Sequence, residues 1–265
     1  MIKYLLLLLL IIVLPFGLSN NIYCQETSYN YTNKNLPCID KIFTVYVHVM
    51  KDSLGKTGID STSIVGVIEG INKYFSPICV SFKACDYSEY PYYQFDTLTL
   101  TQFPQMERHF HKDFRINLYL VSHQSIEINK CGFASLKGVN DMFSSYIVME
   151  KACFSINSFA HEMGHYFGLS HTFAGGNELV DGSNCLTAGD KICDTPADPF
   201  IDGDPLSIYV NSKCTFTGLM KDANGDYYQP DVGNIMSYYS CYCGFTSDQF
   251  RLMAANYTSA LKKMW

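Results

Sequence analysis

The segment from residue 161 to residue 171, which reads HEMGHYFGLSH, constrains the fold of this chain more than any other. Residues four apart share one face of a helix, so His161 and His165 can present two imidazoles to one metal ion. Gly168 favours a positive φ, which ends the helix and turns the chain back. The turn would return His171 as a third ligand. Three protein ligands leave one coordination position open, which is typical of a catalytic zinc ion rather than a structural one.

Glu162 follows the first of these histidines directly. Its carboxylate can reach a water on the metal without itself being a ligand, which is the position of a general base. Any one of the three histidines alone would be read as an ordinary core or surface residue, but five residue types at fixed offsets favour a site. The other histidines, which show no such pattern, are His48, His109, His111 and His123.

The amino-terminal residues predict export. Lys3 precedes an aliphatic run over residues 5–14, a proline and a glycine break that run, and Ser19 offers a small residue for cleavage. This layout is typical of a secretory signal peptide over residues 1–19. The run is shorter than the roughly 20 residues of a membrane span, and no second apolar span follows. We therefore expect a secreted protein, extracellular or periplasmic, with a lipid anchor on Cys24 as the weaker alternative.

Cysteine content and charge narrow the class further. The chain has eleven cysteines, and in an exported protein these are usually disulfide-bonded. The odd number leaves one thiol free or in a special role. A net charge of −6 without a basic stripe gives no reason to expect a nucleic-acid partner.

Hydrophobic periodicity predicts an α+β protein. Residues 20–40 are polar and aperiodic, typical of a short leader or pro-segment, and residues 41–265 would form one domain with an upper lobe at about 41–171 and a lower lobe at about 172–265. Alternation predicts strands at residues 41–51, 79–85, 116–121, 132–136 and 146–150. Helical spacing predicts helices over about 61–76, from about 155–157 through the histidine segment, and from Thr246, where Thr246 and Gln249 form a capping box.

A second signal lies downstream, in the sequence NIMSY at residues 234–238. At this distance from the histidines, Met236 is typical of the methionine in a tight turn beneath a zinc ion. Tyr238 is then placed to donate its phenol to a developing oxyanion. The alternative is that both side chains simply pack in a core.

Together these segments resemble the metzincin clan of zinc proteases. Within that clan, HEMGHYFGLSHTF, GDKICDTP, NIMSYY and CGFTSDQFRLM resemble the pappalysin family, of the pregnancy-associated plasma protein-A type. The resemblance spans about residues 40–260. It implies an upper lobe with a mixed five-stranded sheet and backing helices, with the active-site helix at its bottom. It also implies an irregular, disulfide-bonded lower lobe that holds the Met-turn and a C-terminal helix.

The resemblance also implies a calcium site. Between residues 178 and 231 there are ten acids against three lysines, and oxygen-rich irregular segments suit calcium. The matching positions are Glu178, Asp190, the carbonyl of Cys193, and Thr195. The alternative is a solvated acidic loop.

Two disulfides in the lower lobe are implied as well. They would join Cys185, Cys193, Cys214 and either Cys241 or Cys243, with Cys185–Cys214 as the first choice. The odd cysteine count motivates a further hypothesis, in which a thiolate of the leader, Cys38 or Cys24, occupies the open zinc position as a latency switch.

These features predict a secreted zinc-dependent endopeptidase. A zinc-activated water would attack the peptide carbonyl, Glu162 would carry its proton to the leaving amine, and Tyr238 would share the oxyanion charge. The strand at 132–136 would bind an extended protein or peptide substrate as an added strand. We expect a monomer. The alternatives are an inactive zinc-containing binding or adhesion module and a structural zinc protein with a fourth ligand.

The sequence also bears on specificity. Pappalysin-like enzymes that favour basic residues after the cut carry an acid close behind the Met-turn, whereas residues 237–246 here are uncharged. A basic preference is therefore not expected. Tyr239, Tyr242 and Phe245 would instead suit an apolar or aromatic substrate residue.

Overall fold

The computed structural model describes residues 35–127, 130–141 and 145–260. The predicted signal peptide, most of the predicted leader and Cys24 lie outside these described residues. Across the described ranges, no helix combines the length and apolarity that a membrane crossing requires.

The elements follow one another as a mixed α and β chain. In chain order, the strands are β1 (Lys41–Met50), β2 (Val80–Tyr90), β3 (Thr97–Leu98), β4 (Ile116–Val121), β5 (His123–Gln124), β6 (Gly132–Ala134) and β7 (Tyr146–Glu150). The helices are α1 (Ser61–Gly70), α2 (Asn72–Phe75), α3 (Phe103–Phe110), α4 (Ile156–Tyr166) and α5 (Ser247–Ser259). Short 3-10 turns and loops connect them.

A five-stranded mixed sheet is present, as predicted. Its spatial order is β2-β1-β4-β7-β6. The first four strands are parallel, and β6 pairs antiparallel with β7 at the edge. Strands β3 and β5 form a separate parallel pair.

The sheet is covered on both faces, which explains why β4 (INLYLV) is apolar almost throughout. All six of its residues are buried. Leu118 and Leu120 belong to the main core with residues of α1, α4 and α5. Tyr119 and Val121 face the other side, where they pack with α3.

The predicted helix over residues 61–76 is divided in two. Asp60 caps α1 by accepting a hydrogen bond from the Ser63 amide at 2.9 Å, but α1 ends at Gly70 and α2 follows. A Cβ atom on Gly70 would lie 2.5 Å from Cδ1 of Ile156, so only glycine fits where α1 passes the start of α4. Ile71 then separates α1 from α2.

The disulfide pairing differs from the first choice made from the resemblance. Cys185 is bonded to Cys193, and Cys214 to Cys241, with Cα–Cα distances of 5.1 and 5.8 Å. The Cys185–Cys214 pairing is therefore wrong, because each of these cysteines has another partner within the usual reach of a disulfide. Cys243, the other cysteine weighed for this lobe, is also disulfide-bonded.

The latency hypothesis for Cys38 is also wrong. Cys38 is bonded to Cys79, at a Cα–Cα distance of 5.0 Å. A disulfide sulfur has no thiolate to offer a metal. Among the described cysteines, Cys85 is the free thiol, and it lies exposed on β2.

His48 is buried in the sheet, away from the histidine segment. Its Nε2 atom lies 3.0 Å from Oδ1 of Asn117, and its ring stacks on Tyr119 at 4.4 Å. Burial lowers the pKa of His48 to about 3. The folded protein therefore holds this ring neutral well below neutral pH.

We predict that His48 makes the fold acid-sensitive. In the unfolded chain the ring takes a proton below a pKa of about 6.5, whereas the folded ring does not until about 3. The contribution of the neutral His48 ring to the free energy of unfolding is therefore complete above pH of about 6.5. It falls by about 1.4 kcal/mol per pH unit between these two pKa values. His48→Gln retains an N–H donor but does not titrate. Between pH of about 7.5 and about 5, wild type should lose about 2 kcal/mol more unfolding free energy in urea than this variant.

The exposed His109 provides the control for this experiment. His109→Gln should lose stability with falling pH as wild type does. Equal losses in wild type and His48→Gln would contradict the role given to His48.

Candidate active site

Helix α4 carries the first two histidines, as the spacing predicts. Ser155 caps it in a capping box with Ser158. The helix ends before Gly168, whose φ is +95°. A Cβ atom there would lie 2.3 Å from Nδ2 of Asn256, so glycine allows both the turn and the close approach of α5.

The turn after α4 returns His171 to the other two histidines. Its Nε2 atom lies 3.0 Å from Nε2 of His165 and 3.2 Å from Nε2 of His161. A tetrahedral zinc ion with Zn–N bonds of 2.0–2.1 Å would separate its nitrogen ligands by about 3.3 Å. The three rings therefore fit a zinc ion. Within the described residues, this is the one cluster of at least three candidate metal-ligating side chains.

The rings are also in the form that binds a metal. Nδ1 of His161 donates to the Ile235 carbonyl at 2.7 Å, and Nδ1 of His165 donates to the Leu169 carbonyl at 2.8 Å. A proton on Nδ1 leaves the Nε2 lone pair facing the cluster. Burial lowers the pKa of His161 to about 3 and that of His171 to about 2. Neutral imidazole is thus the form at physiological pH.

Glu162 lies beside the cluster, at the floor of the cleft. It is buried, and its Oε2 atom has no hydrogen-bond partner among the described residues. Burial raises the pKa of Glu162 to about 8. This carboxyl oxygen is therefore available to exchange a proton with a group in the cleft.

Met236 lies directly against α4. A Cβ atom on Gly164 would lie 2.3 Å from Sδ of Met236. The Thr172 amide donates to the Met236 carbonyl at 3.2 Å. The segment around Met236 therefore contacts both α4, which carries His161 and His165, and the segment after α4, which carries His171.

We predict that Gly164→Ala destabilises the protein by about 1–3 kcal/mol, because the added methyl overpacks the contact with Met236. Alanine normally stabilises a helix by about 1 kcal/mol relative to glycine. Gly66 in α1 shows this ordinary case, since nothing lies within 4 Å of a Cβ added there. Denaturant unfolding should show a loss for Gly164→Ala and a gain for Gly66→Ala. A gain in both would contradict the close contact.

Tyr238 faces the histidines from the same segment. Its ring centroid lies 4.7 Å from that of His171 and 5.6 Å from that of His161. Burial raises the pKa of Tyr238. The phenol therefore keeps its proton at neutral pH and can donate it in a hydrogen bond.

Two cleft residues were not identified from the sequence. Nζ of Lys130 lies 4.5 Å above the Tyr238 ring and forms an ion pair with both carboxylate oxygens of Asp202, at 2.6 and 2.7 Å. The pair crosses the cleft from the chain before β6 to the irregular lobe. Neither residue belongs to a local motif, so only the tertiary structure brings them to Tyr238.

The cleft beside the histidines contains a cavity of about 420 Å³. Of the three aromatic residues expected to favour an apolar substrate, Tyr242 lines this cavity. The expectation is wrong for the other two, because Tyr239 packs in the aromatic cluster of the irregular lobe and Phe245 in the main core. Two acids, Asp202 and Asp204, do line the cavity. They lie outside the uncharged segment 237–246 that follows the Met-turn.

In the acidic loop, three of the expected calcium ligands are buried as Glu162 is, without hydrogen-bond partners among the described residues. Oε2 of Glu178, Oδ2 of Asp190 and Oγ1 of Thr195 are buried without a hydrogen-bond partner among the described residues. Glu178 packs against the backbone next to Asp190, since a Cβ atom on Gly189 would lie 1.9 Å from its Oε2 atom. Burial raises the pKa of both carboxyls to about 7. Buried oxygens without donors fit a hard cation; Cys193 lies in the same loop.

The mixed sheet and the histidine–glutamate cluster define a metallopeptidase of the metzincin type. A family model described as pregnancy-associated plasma protein-A matches residues 135–257, and a model of reprolysin-like metallopeptidases matches residues 61–172. The match to the pappalysin-family model spans the three histidines, Met236 and most of α5.

Relatives of known name agree with this assignment. An extracellular metalloprotease of Neurospora crassa is 28% identical over 222 residues, which cover 77% of this chain and 70% of that protein. One from Sordaria macrospora is 26% identical over 168 residues, and the match covers 58% of this chain but only 55% of the relative. Mature mirolysin of Tannerella forsythia, solved with a cleaved peptide, is 15% identical with a TM-score of 0.56 and covers 82% of this chain and 91% of its own. This last likeness concerns the fold alone.

Proposed function

We propose that this chain is an exported zinc-dependent endopeptidase that acts as a monomer on extended protein segments. The observation that carries the proposal is the convergence of three Nε2 atoms next to a buried carboxyl oxygen of Glu162 that has no hydrogen-bond partner among the described residues. Bound zinc would supply Lewis acidity, which activates water and polarises the substrate carbonyl.

Each residue then has a distinct role. His161, His165 and His171 hold the metal, and Met236 supports them as the methionine of a Met-turn. Glu162 takes a proton from the attacking water and delivers it to the leaving amine. Tyr238 donates a hydrogen bond to the oxyanion.

The edge strand β6 would align the substrate. It pairs with β7 on one side, and Phe133, Ala134 and Leu136 line a second cavity that contains the three histidines and Glu162. An extended peptide can add to such an edge through main-chain hydrogen bonds. This mode suits unfolded or extended substrates.

Export and processing form part of the proposal. Residues 1–19 would be the signal peptide and residues 20–40 a short leader, whose end the Cys38–Cys79 disulfide links to the catalytic domain that begins at residue 41. The four disulfides among the described residues and the extracellular relatives support an oxidising destination.

A fluorogenic casein assay tests the function directly. The zinc-loaded protein should cleave casein, a chelator should stop cleavage, and added zinc should restore it. Mass spectrometry of the products should place the cuts inside the chain rather than at its ends. A protein that binds zinc but leaves casein intact would instead be a binding or adhesion module.

We further propose that Glu178, Asp190, the Cys193 carbonyl and Thr195 hold a structural calcium ion. Calcium at about 100 times its dissociation constant should stabilise the fold by about 2.7 kcal/mol, which is a rise of several degrees in Tm. Glu178→Gln should remove the calcium-dependent rise. The exposed Asp226→Asn, in the same acidic segment, is the matched control and should retain it. No response of wild-type Tm to calcium would reject the site.

A further inference from the structure

Asp198 is a buried carboxylate that lies outside the cleft. It lines neither cavity that contains the histidines, and it is 8% exposed. A buried carboxylate is costly unless its oxygens accept hydrogen bonds. The identity of its donors therefore shows what it holds in place.

The donors come from the two segments that carry the active-site residues. Oγ1 of Thr172 donates to Oδ2 of Asp198 at 2.6 Å, and the Tyr239 hydroxyl donates to Oδ1 at 2.5 Å. The Phe200 amide also donates to Oδ1, at 3.0 Å. Thr172 directly follows the ligand His171, and Tyr239 directly follows Tyr238.

His171 depends on such support more than the other two histidines. Nδ1 of His161 and Nδ1 of His165 each donate to a backbone carbonyl. The described residues offer Nδ1 of His171 no such acceptor, and its ring instead stacks on Phe173 at 4.8 Å and 9°. The position of His171 is therefore set largely by the chain on either side of it, of which Thr172 is the anchored part.

The same carboxylate restrains Tyr238 from the other side. The Phe200 amide donates to Asp198. The Phe200 ring packs on the rings of Tyr238 and Tyr239, with centroid distances of 5.7 and 5.6 Å. Phe173 closes the group, at 4.9 Å from Tyr238. The Asp198 carboxylate thus accepts hydrogen bonds from the neighbour of His171, from the neighbour of Tyr238 and from Phe200, which packs on Tyr238.

We propose that Asp198 is a positioning residue, which ties Thr172 to Tyr239 and so fixes His171 and Tyr238 relative to each other. The inference deepens the proposed function and rests on it. Because the two donors serve different neighbours, their loss should have different effects. Loss of the Thr172 bond should act on the metal, and loss of the Tyr239 bond should act on turnover.

The test uses isosteric removal of each hydroxyl in the full exported protein. Thr172→Val should weaken zinc binding about tenfold, measured by competition with a chelator, since loss of outer support of a ligand costs about 10–100-fold. Tyr239→Phe should lower kcat about tenfold, with KM and zinc affinity unchanged. Asp198→Ala should show both effects, and Asp198→Asn, which retains an acceptor, should recover much of each.

Two matched variants serve as controls. Tyr209→Phe removes a hydroxyl from the same aromatic cluster, but that hydroxyl donates to Asp204 instead. Thr258→Val removes a hydroxyl that, among the described residues, donates to the carbonyls of Ala254 and Ala255 in α5. Both should keep the zinc affinity and the kcat of wild type.

Two results would overturn the inference. The first is that the zinc affinity of Thr172→Val and the kcat of Tyr239→Phe both stay within twofold of wild type. This result would count against the inference even if Tm falls. The other is an equal loss in Tyr209→Phe, which would indicate general loosening of the cluster. The zinc measurement needs no activity, so failure of the protease proposal would be seen separately, as a wild-type protein that binds zinc but does not cleave.

Discussion

Glu162→Gln should abolish peptide hydrolysis and leave zinc bound. Glutamine has the size of glutamate but cannot accept the proton of the attacking water, and general-base catalysis contributes about 10²–10⁴-fold. The three histidine nitrogens converge without any contribution from Glu162. We therefore expect kcat to fall by about a thousandfold while zinc stoichiometry stays at wild-type level.

The measurement pairs zinc analysis with kcat on a fluorogenic peptide. Glu127→Gln is the matched control, because Glu127 lines the same cleft next to Glu162 and the histidines. It loses a carboxylate of the same size, yet kcat should stay within severalfold of wild type. Near-normal turnover of Glu162→Gln would remove Glu162 from its assigned role, and loss of zinc would indicate a ligand instead of a base.

The site was predictable from the sequence where its geometry is local. The interval between His161 and His165 follows from the helix repeat, and the return of His171 follows from the positive φ of Gly168. The Thr246 capping box is likewise a short-range pattern, and it is present at the start of α5. These features need only a few consecutive residues to specify them.

The remainder depends on distances between remote segments. Cys185 had several cysteines as possible partners in the sequence, and only the folded loop places Cys193 at 5.1 Å. The glycine at position 70 accommodates Ile156, which is 86 residues away along the chain. Lys130 and Asp202 meet above Tyr238 for the same reason. Sequence spacing carries no information on such approaches.

Tyr238→Phe should lower kcat by about 10²–10³-fold, the range measured for loss of one oxyanion donor. Only the hydroxyl is removed, so the ring can keep its contacts with His171 and with Nζ of Lys130. KM should change little, because the negative charge that the phenol stabilises develops only in the transition state. Burial raises the pKa of Tyr238, which keeps the wild-type phenol a donor throughout the neutral range.

The lining residue Tyr242 makes this test specific. Tyr242→Phe removes a hydroxyl from the same cleft, whereas it is the Tyr238 ring that contacts His161 and His171. Its kcat should stay within a few-fold of wild type. If Tyr238→Phe instead raises KM at constant kcat, the phenol binds substrate and does not stabilise the oxyanion. If both variants lose activity equally, the cleft needs its polarity as a whole. The donor must then be sought elsewhere, and the ammonium of Lys130, 4.5 Å from the Tyr238 ring, is a candidate.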